Sequence, residues 1–329
     1  MLFSIFVFIG WIIQILICFY FVRFISNIII RCILTLVPCI ILTYVVAYDH
    51  PPLQMTSMLF VTYCWLASIR LIHLIVLTPD QCPTLSDYIL KFLWMFFPIV
   101  RCPPDQHQKW PILYDLVCAG IKIIVNHWIY KWLLICEGSD SCFRRIMFYI
   151  LILTYSFLLD IQCAILRTIT HDKYMLKPMN NFPIMSRSLH EFWGRRYNQL
   201  VGTIFRESLF QPIRQHLSST KIAPLLVFFT SGLLHTHLAI VALKDYQTII
   251  PALVFFVLHG MACTIEAHVP FQLPVLLSWL LTQLFLLVTA SLQIGPFIRI
   301  GPKFYSLNPP PLFEQQWIPK LPVPNFCPK

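Results

Sequence analysis

The sequence predicts an all-α, polytopic transmembrane helical bundle of about eight spans with an interfacial amphipathic helix, and three observations predict it. The chain of 329 residues is 58% hydrophobic and only 12% charged, with a mean hydropathy of +0.72, which leaves too little polar surface to cover a water-soluble globule. Its apolar residues gather in stretches near or above the roughly 20 residues that carry a helix across about 30 Å of hydrocarbon. Strands of about ten residues alternating apolar and polar, the mark of a lipid-facing barrel, are absent.

Taken in order, hydropathy places spans at about Leu2 to Val22, Ile28 to Ala47, Met58 to Leu77, Leu113 to Leu134, Ile146 to Ile165, Ala223 to Leu243, Ile249 to Ala267 and Leu273 to Ile294. The first lacks a basic beginning and a small-residue cleavage site, so it reads as a retained span. Tyr88 to Val100 is apolar but short, which suits a re-entrant or surface helix. Pro51-Pro52, Pro103-Pro104 and Pro309-Pro310-Pro311 mark loops or the tail. Between the fifth and sixth spans, Val201, Ile204, Phe205, Leu209, Ile213 and Leu217 recur at helical spacing, with Arg206, Glu207, Gln211, Arg214 and Gln215 on other faces. That pattern fits a helix lying in the interface and kinked at Pro212; a plain connecting loop is the alternative.

Lysine and arginine set the orientation. If the Arg23 to Arg31 loop is cytosolic, alternation makes Pro79 to Ile112 and Leu166 to Ile222 cytosolic too, and the Tyr48 to Ser57 turn and the Cys136 loop, with Glu137 and Asp140, lumenal. Arg144, Arg145 and the basic residues of the tail fit this scheme less well. The net charge of +10 lies between hydrophobic spans rather than along one soluble face, so membrane lipid head groups, and not nucleic acid, are its expected partners. Twelve cysteines fall mostly inside apolar runs without a C-x-x-C pair, so no metal site is expected. Cys136 and Cys142 share one loop and either bridge there or stay as two thiols. With no internal repeat and no soluble second domain, residues 1–329 read as a single membrane-embedded domain. Nothing in the sequence sets an oligomeric state.

Ionisable groups inside a bilayer are expensive, so each one needs a partner, a cavity or a role. His235 lies near the middle of its span, and its neighbours one turn away are Ser231, Gly232 and Ala239. Two readings fit this face of small residues: an imidazole looking into a substrate cavity, or a close helix contact in which it bonds a neighbour. His237 points the other way, among Leu233, Leu234 and Val241. His259, Cys263 and Glu266 share one helical face and read as a structural ion pair or hydrogen bond. Arg70 and His73 read as a snorkelling pair. The richest polar segment is Ser186 to Asn198, SRSLHEFWGRRYN. Phe192, Trp193 and Tyr197 suit an aromatic belt with Arg195 and Arg196 at head groups, or the arginines bind a phosphate-bearing cofactor.

LHEFWGRRYN at 189–198, SGLLH at 231–235, and FFVLHG followed by Glu266 at 255–266 resemble, in that order and spacing, the wax synthase branch of the membrane-bound O-acyltransferases. The resemblance covers roughly the last half of the chain and centres on a catalytic region at 186–295. It implies that His235 and Asn198 are the catalytic pair. Gly194, Arg195 and Arg196 stand where the sterol and diacylglycerol enzymes carry acidic and tryptophan-rich versions, and Tyr197 stands where tryptophan is more usual. The implied reaction moves an acyl group from acyl-CoA to the hydroxyl of a long-chain alcohol, giving a wax ester and CoA, in a multi-pass protein of the endoplasmic reticulum. His235 would act as general base, because hydrocarbon surroundings favour the neutral imidazole. Asn198 would orient a reactant or steady developing charge. Arg195, Arg196, Arg187 and Trp193 would bind the CoA portion. Acyl-CoA is then a co-substrate and no permanently bound cofactor is implied; no covalent enzyme intermediate is required either, in keeping with the absence of a G-x-S-x-G elbow. Rival acceptors are a sterol, a terpenoid or diacylglycerol, and a rival class is a lipid transporter, against which stands the lack of an inverted repeat.

Overall fold

The computed structural model describes residues 2–49, 51–79, 84–103, 111–136, 140–217, 222–268 and 273–327. Pro104 and Glu137, named above as a break and a loop residue, lie outside them. Among the described residues most are helical, and eight segments are long and apolar enough to cross a membrane: Phe6–Phe24, Ile28–Tyr48, Met55–Leu77, Ile112–Ile135, Cys142–Ile169, Ile222–Leu243, Tyr246–Glu266 and Val275–Ile300. Their side chains behave as lipid demands. The last segment has a mean hydropathy of 2.0, yet only 11% of its most apolar window is buried, so its leucines and valines face outward, as in a membrane solvent.

The contacts gather into two compact units, 1–97 with 201–267, and 98–200 with 268–329. The first unit contains α1 (Leu2–Tyr20), α2 (Ile28–Asp49), α3 (Met55–Leu71, extended by a π turn over Ile72–Leu77) and α4 (Leu85–Leu93). Several polar groups inside these spans are paired, which offsets their burial in hydrocarbon. Gln14 on α1 donates to Leu34 O on α2 (3.1 Å), and Arg31 donates to Val76 O (3.0 Å). Thr84 caps α4 by accepting from Asp87 N. The apolar segment at Tyr88 to Val100 is therefore a helix only as far as Leu93, because Pro98 cannot continue it and Ile99–Arg101 turns into a strand.

The predicted amphipathic helix is present from Gln199 to Leu217. Its two α pieces, Gln199–Phe205 (mostly in this unit) and Gln211–Leu217, are joined by a π turn over Arg206–Phe210. Ile204 and Phe205 enter the core while Arg206, Gln211 and Arg214 stay exposed. Pro212 stands at the second position of the piece after that wider turn, where a residue without an N–H is accommodated. The unit is completed by α10 (Ile222–Leu243) and α11 (Ile249–Glu266), an antiparallel pair joined by a 3-10 turn at Tyr246–Thr248; the two pieces at 199–217 are α8 and α9.

In the second unit, β1 (Ile99–Arg101) pairs antiparallel with β2 (Tyr174–Leu176), Ile99 opposite Leu176. Between them lie α5 (Ile112–Ile135), α6 (Cys142–Thr154) and α7 (Phe157–Ile169). At the break between α6 and α7, Asn126 on α5 donates to Leu151 O (3.0 Å) and to Thr154 Oγ1 (2.9 Å). Lys122 pairs with Asp160 (2.5 Å), and the fully buried Arg167 is neutralised by Asp115 (2.6 Å) and Asp172 (2.7 Å).

The last long helix, α12 (Val275–Ile300), leads into α13 (Pro302–Leu307) and an irregular tail. The tail follows α5: Ile318 packs on Ala119 and Ile123, Trp128 donates to Pro322 O, and Trp132 donates to Phe326 O. It ends in a disulfide between Cys136 and Cys327. Cys142, the partner considered for Cys136 from loop proximity, is an exposed free thiol.

Candidate active site

The motif segment at 186–198 lies in the second unit and is held by its own side chains. Ser188 and Glu191 have capping-box spacing. Ser188 Oγ accepts from Glu191 N (2.9 Å), and Glu191 Oε2 accepts from Arg187 N (2.8 Å). Glu191 Oε1 accepts from Arg196 Nε (2.7 Å), and Arg196 also donates to Asn181 O (3.2 Å). Burial works against the Glu191 carboxylate, but the Arg187 N–H and the Arg196 guanidinium outweigh it and hold its pKa below the ordinary carboxylate range. Phe192–Arg196 is a π turn, closed by Tyr197 N donating to Phe192 O. It stacks Phe192 on Tyr197 (centroids 5.0 Å, 10°), with Trp193 edge-on to both. From α12, Trp279 donates to Ile184 O (2.8 Å) and Gln283 to Ser186 O (3.3 Å).

At the end of this turn Asn198 adopts φ 42°, a left-handed conformation that asparagine tolerates better than most residues. Its N–H donates to Asn180 Oδ1 (3.0 Å). Arg187 and Arg195 are exposed, while Arg196 is half-buried in the Glu191 pair. Of the three arginines expected to meet phosphate, Arg196 is thus the one already engaged in holding the segment's shape.

His235 lies in the first unit on α10, half-buried. Its Nδ1 is 2.8 Å from Ser231 O. A carbonyl only accepts, so Nδ1 carries the proton and Nε2 presents a lone pair. The Phe256 ring on α11 covers one face at 4.2 Å. His237 points to the other side, as its spacing implies, and accepts from Trp65 Nε1 on α3 (2.9 Å), which places its own proton on Nε2. α10 and α11 approach closely through glycine. A Cβ at Gly232 would lie 2.9 Å from Leu253 Cδ1, and one at Gly260 2.8 Å from Phe228 Cβ. His259 is fully buried on α11 against Phe255, and no metal-binding group of three occurs among the described residues. Arg70 does not snorkel; it is buried and pairs with Glu207 (3.0 Å) on the π turn rather than with His73.

Residues 176–258 match the family described as Membrane bound O-acyl transferase family, a stretch that contains both Asn198 and His235. This stretch of the chain is similar to the membrane-bound O-acyltransferases. Among its relatives, a protein named Probable long-chain-alcohol O-fatty-acyltransferase 3 of Arabidopsis thaliana is 26% identical over 72% of this chain and 72% of its own length. The Long-chain-alcohol O-fatty-acyltransferase of Simmondsia chinensis is 35% identical over 28% of each chain. Acyl-CoA–sterol O-acyltransferase 1 of Arabidopsis thaliana is 30% identical over 35% of this chain and 36% of its own. The chain thus aligns with about a third of the length of the last two. Within the membrane-bound O-acyltransferase match, sequence reasoning gave no separate role to Glu191 or Phe256, whereas the small face at Gly232 was read from spacing. The Ser188 to Glu191 spacing was the legible signal for the first of these.

Proposed function

We propose that this chain transfers an acyl group from acyl-CoA to the hydroxyl of a long-chain alcohol, releasing a wax ester and CoA. The observation that carries the mechanism is the Ser231 bond, which leaves Nε2 of His235 as a free base in a half-buried position. Nε2 takes the hydroxyl proton as oxygen attacks the thioester carbonyl, the C–S bond breaks, and the proton passes on to the departing sulfur. Asn198, through its amide, steadies the negative charge on the carbonyl oxygen. Arg187 and Arg195 bind CoA phosphates, Trp193 packs beside them, and Arg196 shares this task while bracing Glu191.

Residues 1–329 act as one membrane-embedded domain whose catalytic region is 186–295, in the endoplasmic reticulum with the Asn198 segment cytosolic. Under that orientation Cys136 and Cys327 are lumenal, where a disulfide persists. A sterol is the second acceptor to consider, supported by the relative named for sterol acylation. Microsomes containing the chain, given labelled acyl-CoA and a panel of fatty alcohols, sterols and diacylglycerol, should acylate fatty alcohol most. His235→Ala should abolish transfer without loss of membrane insertion. Full activity in that variant refutes the mechanism.

A further inference from the structure

General-base catalysis requires His235 to become positively charged as it takes the proton, and the face of its ring is covered by Phe256, centroids 4.2 Å apart and planes inclined by 31°. We infer that Phe256 is a positioning residue for acyl transfer, holding the imidazole plane and favouring the imidazolium through its π face. The inference rests on the reading of His235 as general base.

Three features meet here. The Ser231 carbonyl fixes Nδ1, so the ring is held at one edge and needs only its plane set. Gly232, one turn before His235, lets α11 come close. A Cβ there would lie 3.3 Å from Phe256 Cβ as well as against Leu253, so a side chain would push the aromatic ring off the imidazole. Finally, the Phe255-Phe256 pair divides between two histidines. Phe255 faces His259 at 4.2 Å, but His259 is fully buried, whereas His235 is open enough to meet a substrate. A ring quadrupole attracts a cation within about 6 Å far more than a neutral ring. The stabilisation therefore appears mainly in the transition state and acts on kcat.

The test compares Phe256→Leu and Phe256→Tyr with wild type and His235→Ala, each normalised to inserted protein. F256L should lower kcat by about three- to thirty-fold with the KM for acyl-CoA within about twofold, and F256Y, which keeps the π face, should recover most of the rate. Wild-type kcat in F256L, or an F256Y no faster than F256L, overturns the inference. Should F256L fail to accumulate, 4-fluorophenylalanine at 256 decides instead, since it weakens the quadrupole at nearly constant size: a lowered kcat supports the inference and an unchanged one overturns it. Retained activity in His235→Ala removes the general-base reading, and this inference with it. A dead His235→Ala beside unaffected Phe256 variants removes this inference alone.

Discussion

Gly260→Ala should destabilise the α10–α11 pair in a way that trimming its neighbour cannot repair. The added Cβ would lie 2.8 Å from Phe228 Cβ and 3.1 Å from Phe228 Cγ. A Cβ is fixed to its backbone, so relief requires the helices to separate. Overpacking of this kind costs up to about 3 kcal/mol, while replacing a helical glycine by alanine returns about 1 kcal/mol, leaving a net loss of roughly 2 kcal/mol. Gly232→Ala is different, because its nearest obstacle is Leu253 Cδ1, the far end of a flexible side chain, at 2.9 Å. There the overpacking is nearer ~1 kcal/mol and the net change in stability close to zero. Thermal unfolding in detergent, run as two double-mutant cycles, reads the contrast. Leu253→Ala should couple favourably with Gly232→Ala by about 0.5–1 kcal/mol, and Phe228→Ala, which keeps its Cβ, should show almost no coupling with Gly260→Ala. A Gly260→Ala protein as stable as wild type, or one restored by Phe228→Ala, refutes the close-approach argument.

Three further outcomes follow from pairs described above. Glu191 has a lowered folded pKa, so its contribution is complete above the ordinary carboxylate value of 4.5 and disappears as pH falls through the folded value; the difference in melting temperature between wild type and Glu191→Gln should therefore shrink toward acid, and a constant difference would contradict it. Glu207→Ala leaves the buried Arg70 without its carboxylate, and should cost roughly 1–3 kcal/mol, with Arg70→Met recovering part of it in the double variant; additive losses in detergent melts would exclude the pairing. Reduction should add two sites for a maleimide-polymer gel shift to the denatured wild type and none to the Cys136→Ser/Cys327→Ser variant, while Cys142 labels without reduction; an unchanged wild-type ladder would exclude the bridge.

The eight crossings were legible because lipid imposes length and hydropathy on every span, and Met55–Leu77 and Ile222–Leu243 fall within a few residues of where hydropathy puts them. His235 and His237 facing opposite ways was equally legible, since two residues on a helix differ by 200°. The partners were not. Arg70 meets Glu207 from a segment 137 residues away, and local spacing offered His73 instead. Cys136 lies beside Cys142 in sequence, but the bond goes to the tail because Trp128 and Trp132 draw that tail along α5. The π turns at Ile72–Leu77, Phe192–Arg196 and Arg206–Phe210 leave no mark in apolar periodicity, since each inserts one residue into an otherwise helical pattern.

Four of the eight crossing segments lie between Cys136 and Cys327: Cys142–Ile169, Ile222–Leu243, Tyr246–Glu266 and Val275–Ile300. An even number of crossings returns the chain to the face it left. If any one of the four failed to insert, the two thiols would stand on opposite faces with about 30 Å of hydrocarbon between them. The bond thus acts as a parity check on biogenesis. It cannot close in a molecule that has missed one or three of these crossings, so the oxidised fraction on a non-reducing gel excludes protein misthreaded in that way.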